Sequence, residues 1–198
     1  MTNIVTPKGT AVWPKLNTPD TKFNVDGEYT VKLRLAAHES QDLIKQLEGL
    51  RDEYQKAQAK TEPKVARYDV ASVYEAEEDD NGDLTGFNLF KFKQNAKIKL
   101  RDGSTRDMKV AIYDSNKAPT NAEVTGGSTI RVAANVFCYA MPSTKRVGVS
   151  LRPTAVQVIE LATGFGGNAD ALAMFDKEDG FIADSFDVAS GVDDLADF

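Results

Sequence analysis

With 198 residues, 41% hydrophobic and 27% charged, the chain has the length and composition of one well-buried globular domain. No apolar run approaches the roughly 20 residues needed to cross a bilayer, and the N-terminal MTNIVTPKGT lacks the basic-then-apolar order of a signal peptide, so a cytosolic protein without membrane contact is expected. One cysteine, Cys138, excludes an internal disulfide, and with the one histidine, His38, it makes no convincing zinc site; no metal and no cofactor are expected.

The formal net charge of −6 hides a polarity along the chain. Residues 168–198 hold nine acids and one base, a charge of −8, whereas residues 1–167 hold 23 bases and 21 acids, a charge of +2. Between residues 91 and 117, eight bases stand against three acids. A locally basic body with an acidic tail suggests a polyanion-binding domain that carries a mimic of its ligand.

In chain order, the first clear element is EYTVKLRL, residues 28–35. Tyr29, Val31, Leu33 and Leu35 face one way and Glu28, Thr30, Lys32 and Arg34 the other, the pattern of a half-buried strand. Residues 39–59 place Leu43, Leu47, Leu50 and Tyr54 at helical spacing, with Ser40 and Asp42 near the start and Pro63 beyond the end. This amphipathic helix packs either on its own domain or on a partner copy; its sequence leaves both open. A short strand is expected around residues 70–74, followed by an acidic turn, EAEEDDNGDLTG.

The second half reads as consecutive strands. LFKFKQNAKIKLR, residues 89–101, the turn Asp102-Gly103-Ser104-Thr105, and DMKVAIYD with Met108, Val110 and Ile112 pointing inward predict a hairpin. TIRVAANVFCYAM, residues 129–141, is joined through Pro142-Ser143-Thr144 to RVGVSLRPTAVQVIELA, which Arg152-Pro153 is expected to interrupt, because proline cannot donate to a ladder. Beyond residues 163–167 the pattern stops. The prediction is a mainly β protein: a small closed or partly closed barrel with one helix, and a disordered acidic tail over residues 168–198.

Strand parity says which charges point together. In residues 90–101, Phe90, Phe92, Ala96, Ile98 and Leu100 share one face and Lys91, Lys93, Lys97, Lys99 and Arg101 the other. In residues 129–141, Ile130, Val132, Ala134, Val136, Cys138 and Ala140 form the apolar face, and Arg131, Phe137 and Tyr139 lie opposite. Cations follow a phosphate backbone and aromatic rings stack on bases, so the combination suits a single nucleic-acid strand. Outer-face lysines are more often solvated or serve to block edge pairing, and five on one strand weigh against that. Cys138, on the apolar parity, reads as a small core residue.

Catalytic readings find no support: no serine or cysteine stands in a nucleophile motif, and no catalytic residue is expected. Gly126-Gly127-Ser128 and Gly164-Phe165-Gly166-Gly167 lack the lysine of a phosphate-cradling loop and read as turns. Asp79, Asn81 and Asp83 imitate a calcium loop, but Leu84 and Phe90 occupy its required glycine and glutamate positions, which favours a solvated hairpin turn.

GTAVWPKLNTPD, NVDGEYTVKL, DNGD, FKFK, AIYDSNK, EVTGGSTIRV and VIELATGFGG occur in this order over residues 9–167. With them the chain resembles the single-stranded DNA-binding proteins of T7-type bacteriophages. The resemblance implies an OB-fold over residues 1–167, a Greek-key barrel that coats single-stranded DNA in phage replication, recombination and repair, in the cytoplasm of the infected bacterium. It implies that Lys93 contacts DNA and Tyr139 stacks, on the faces that parity identifies, and that the tail competes for the groove and contacts phage or host polymerase and helicase. A homodimer is a further expectation. Two positions depart from the family: Asn95 stands where a second stacking tyrosine is expected and Asp26 where an arginine is, leaving Trp13, Phe137 and Lys97 to compensate.

The expected DNA-contacting set is Lys32, Arg34, Lys91, Lys93, Lys97, Lys99, Arg101, Arg131, Phe137 and Tyr139; the expected partner-binding set is Asp193, Asp194, Asp197 and Phe198. The aspartates would imitate phosphates, and Phe198 a stacked base or a plug for a partner's apolar pocket. The competing readings are a general DNA binder or annealing protein that also holds duplex, and a replisome adaptor whose tail does the work.

Overall fold

The structure, a computed structural model, describes residues 2–22, 24–100 and 102–162. The tail, with Asp193, Asp194, Asp197 and Phe198, and the predicted contact Arg101 lie outside the described residues.

The strands in chain order are β1 (Thr2–Val5), β2 (Gly9–Asp20), β3 (Glu28–Ala36), β4 (Asp69–Val70), β5 (Glu75–Glu78), β6 (Leu84–Asn95), β7 (Lys97–Lys99), β8 (Thr105–Asp107), β9 (Ala111–Tyr113), β10 (Thr129–Met141) and β11 (Arg146–Glu160). Between β3 and β4 run the helix α1 (Gln41–Thr61) and a 3-10 turn, Pro63–Arg67. Two antiparallel blocks, β2–β3–β6 and β10–β11, carry most of the ladder. They meet at two short seams: Thr129↔Thr10 and Ile130↔Gly9 on one side, and a parallel Leu151↔Phe92 contact on the other. The pairings thus run in a ring, β10–β2–β3–β6–β11–β10, giving an OB-fold-like sheet.

Alternation is what fills this sheet. Tyr29, Val31, Leu33 and Leu35 of β3, Phe90 and Phe92 of β6, Ile130, Val132, Ala134 and Val136 of β10, and Leu151, Val156 and Val158 of β11 are buried in one cluster. Leu43, Ile44 and Leu47 of α1 join it, so the helix packs on its own domain. Phe90 and Phe92 are fully buried; truncating either to alanine costs about 3–5 kcal/mol.

Three expectations need correction. The run 89–101 is not one strand: at Ala96 the chain turns a corner, where the Ala96 amide donates to Gly27 O and Met108 N donates to Ala96 O. Gly27 (φ +78°) is required there, since a Cβ would lie 3.0 Å from Pro19 Cβ. Lys97 and Lys99 therefore sit on a separate two-stranded ribbon, β7–β8, and residues 111–113 leave it to pair in parallel with β11.

Second, EAEE of the expected acidic turn is a strand, β5, because its glutamates lie across β6 from the cations of β3; the turn itself is confined to residues 79–83. There Asp79 Oδ1 accepts the Asn81 and Asp83 amides, so the calcium-like spacing serves a self-capped hairpin turn. These backbone hydrogen bonds, Asp83's first, hold the Asp79 carboxyl below the usual aspartate range.

Third, Pro153 does not interrupt β11. The strand's other neighbours are β6 at Leu151 and β9 from Ala155 onward, so Pro153 falls in the gap between them and its missing N–H is not needed. A bulge absorbs the irregularity: Ala134 pairs with Pro153 and Ala133 with Ala155, and the bypassed Thr154 donates its hydroxyl to Ala133 O at 3.1 Å.

Candidate nucleic-acid interface

The β3–β6 register pairs Lys32 with Lys91 and Thr30 with Lys93, which gathers Lys32, Arg34, Lys91 and Lys93 on one outer face. Three of these cations are already partnered. Lys32 Nζ lies 2.8 Å from Glu75, Lys93 Nζ 2.7 Å from Glu28, and Arg34 makes a two-pronged contact with Glu77 while its guanidinium stacks on Phe87 at 3.4 Å. The Arg34–Glu77 pair thereby ties β3 to β5. Hydrogen bonds from Arg34, then from Thr85, hold the Glu77 carboxyl below the usual range. Lys91 is exposed and forms no ion pair with the described residues.

Beside Lys32 and Lys91 opens a cleft of 240 Å³, lined also by Val12, Trp13, Asn24, Thr30, Asp20 and Glu28. Its wall is Trp13, 82% exposed and on left-handed backbone (φ +50°). The register of β2 against β3 slips between Val12 and Lys15, and Trp13-Pro14 forms that irregularity. The bulge turns the indole out of the sheet and over the cleft, where it buries almost nothing.

From β6 the face continues across β11. Phe92 pairs with Leu151 and Leu151 with Val136, all three pointing inward and buried. Their outward neighbours are Lys91 and Lys93 on β6, Ser150 and Arg152 on β11, and Asn135 and Phe137 on β10. The Arg152 guanidinium lies over the Phe137 ring at 3.7 Å, and Tyr139 follows two residues on, its ring against Gly148, where an added Cβ would meet the hydroxyl at 2.5 Å. A band of cations and rings thus crosses five strands from Trp13 to Tyr139.

Of the expected contacts, Lys32, Lys91, Lys93, Phe137 and Tyr139 lie in this band. Lys97 and Lys99 are set apart on their ribbon. Arg131 is eight residues before Tyr139 on β10, roughly 26 Å away at strand rise, and its Nε donates to Thr6 O at 3.1 Å. Sequence reasoning missed Arg152, which it treated only as part of a strand break, although its even position next to an inward Leu151 was a usable signal. Cys138 is half-buried against α1, its thiol donating to Leu50 O, and burial pushes that thiol up.

A small OB-fold-like domain with a basic and aromatic band on its outer face is a nucleic-acid-binding architecture. Residues 8–161 match the family described as single-stranded DNA-binding protein, bacteriophage T7, and the chain belongs to that family. This is a family of DNA-binding proteins rather than of enzymes. The fold is shared with the crystal structure of gp2.5, a single-stranded DNA-binding protein encoded by bacteriophage T7: 23% identity, TM-score 0.67, covering 92% of this chain and 99% of that one. It is shared more loosely with the single-stranded DNA-binding protein of bacteriophage Enc34 in complex with single-stranded DNA: 14% identity, TM-score 0.55, covering 83% and 89%. No curated protein sequence matches the chain significantly. Among the described residues, no helix is long and apolar enough to cross a membrane.

Proposed function

We propose that the protein binds single-stranded DNA without catalysis and with little sequence preference, along the band from Trp13 to Tyr139. The observation that carries this reading is the juxtaposition of the exposed indole of Trp13 with Lys32 and Lys91 in one cleft. The indole offers a π-face to any base, and the lysines offer charge to the adjoining phosphates. Lys93, Arg152, Phe137 and Tyr139 carry the strand onward across the sheet. The family supports a role in phage DNA replication and recombination in the cytoplasm of the infected host. Residues 168–198 then compete for the band as a polyanion, and Asp193, Asp194, Asp197 and Phe198 engage a DNA polymerase or helicase, with homodimerisation as a further part of the reading.

Because Trp13 is the chain's one tryptophan, its fluorescence reports on the cleft alone. Titrating the full chain and residues 1–167 with oligo-dT and with duplex across a salt series tests the ligand. The expected result is tight, salt-sensitive, fluorescence-quenching binding of the single strand and weaker binding of duplex. Equal affinity for both at matched salt would overturn it in favour of a general DNA binder.

A further inference from the structure

At the far end of the β10–β11 hairpin lies a cleft of 670 Å³ lined by Glu62, Pro63, Lys64, Arg67, Tyr68, Pro142 and Lys145. None of its cations belongs to the sets expected from sequence. Lys64 and Arg67 come from the 3-10 turn that ends α1, and Lys145 from the hairpin tip, so two separate parts of the fold aim positive charge into one hollow. The β3–β6 face answers its cations with glutamates, whereas Lys64, Arg67 and Lys145 form no ion pair with the described residues, and Glu62 is the one acid in the lining.

The hollow is held in shape. Lys145 is on left-handed backbone (φ +51°), its carbonyl accepting the Asp69 amide at 2.9 Å, and β4 pairs with Arg146 and Val147. Gln55 Nε2 donates to the carbonyls of both Val65 and Tyr68, which fixes the turn carrying Arg67. Cations at a helix C-terminus are favoured by the dipole alone, which accounts for Lys64 and Arg67 in the last turn of the 3-10 segment but not for Lys145, which belongs to no helix. The chain links the hollow to the band: Tyr68 and Lys145, which line it, stand three residues from Ala71 and Gly148, and a Cβ added at Gly148 would lie 3.1 Å from Ala71 Cβ and 2.5 Å from the Tyr139 hydroxyl.

We propose that this cleft is a second contact site for single-stranded DNA, in which Lys64, Arg67 and Lys145 neutralise phosphates and Tyr68 supplies a ring, so that a strand leaving Tyr139 runs on over the hairpin tip. The inference rests on the single-strand reading above. Its chemistry is that of a phosphodiester chain: several cations spaced along a hollow with one aromatic face, rather than the compact pocket of a single phosphate.

Strand length and salt together make the test. An OB-fold occupies roughly 4–16 nucleotides, so oligo-dT of about 5 and about 20 nucleotides are titrated by fluorescence anisotropy against the full-length protein and its Lys64→Gln/Arg67→Gln/Lys145→Gln variant. All three side chains are on exposed residues, and an unchanged thermal melt confirms the fold. The wild type should bind the longer strand more tightly, and the variant should lose that gain. Each phosphate contact with a single strand contributes about 0.7 to the slope of log K against log salt, so the variant's slope on the longer strand should shrink by about 2. Lys145→Glu alone should act in the same direction. A variant that keeps both the length gain and the slope overturns the second site. A wild type that binds neither length overturns the single-strand reading itself, and Lys91→Ala, which should weaken both lengths, separates the first site from the second.

Discussion

Trp13 combines two costs that a structural residue avoids: a large apolar ring left in water and a backbone angle that a side chain disfavours. Strain of this kind, typically about 1–3 kcal/mol, persists where it serves a site. Trp13→Gly should therefore melt no lower than wild type, since glycine adopts this angle freely. It should nonetheless bind oligo-dT more weakly, by the roughly 1–3 kcal/mol that base stacking contributes; a lower melting temperature with unchanged affinity would refute the assignment. Tyr139 gives a complementary case. In Gly148→Ala the new methyl would occupy the space of the phenol, 2.5 Å from its oxygen. The ring must then swing off the hairpin, and single-strand affinity should fall although no DNA-contacting residue has been replaced.

At the scale of elements, the β3–β5–β6 sheet carries its own counter-charges. Glu28 and Glu75 hold Lys93 and Lys32, with which phosphates would have to compete. Glu28→Gln should tighten binding to oligo-dT at low salt, because it frees Lys93 and removes a charge from the cleft; weaker binding would show that the glutamate positions the lysine instead. Glu77 acts differently. Its pKa is depressed by the Arg34 hydrogen bonds, so its stabilising contribution is present above the usual glutamate pKa and is lost as pH falls through the lowered one. Glu77→Gln should accordingly remove part of the acid limb of the stability curve, measured by thermal melts from neutral pH downward. The identity of these partners was not legible in sequence. Alternation placed Lys32 and Arg34 outward, but only the register across β6 brings residues 43 positions later against them. The same holds for Ala96, where local alternation continues unbroken through Lys97 and Lys99 while Gly27 and Met108 bend the chain away.

For the molecule as a whole, the charge split between residues 1–167 and 168–198 makes truncation informative. Removing residues 168–198 should tighten single-strand binding, most at low salt where a tethered polyanion competes best, and Phe198→Ala should mainly weaken capture of a replication partner. Unchanged affinity after truncation would leave the competition without support.

The sequence by itself determined the class of fold, because period-two burial in β3, β6, β10 and β11 and period-3.6 burial in α1 are local properties of side-chain order. It also determined which faces of these strands carry cations and rings, and so pointed to a single strand of nucleic acid. Only the tertiary structure decided which of those residues lie together. It separated Lys97, Lys99 and Arg131 from the band, engaged Arg34 with Glu77, set the exposed Trp13 beside Lys32 and Lys91, and brought in Arg152. Beyond the band, Lys64, Arg67 and Lys145, about 80 residues apart in the chain, came together at the hairpin tip. Bulges, corners and cross-strand register are contacts between distant segments, and a one-residue slip or a turn at a single alanine reassigns a whole face.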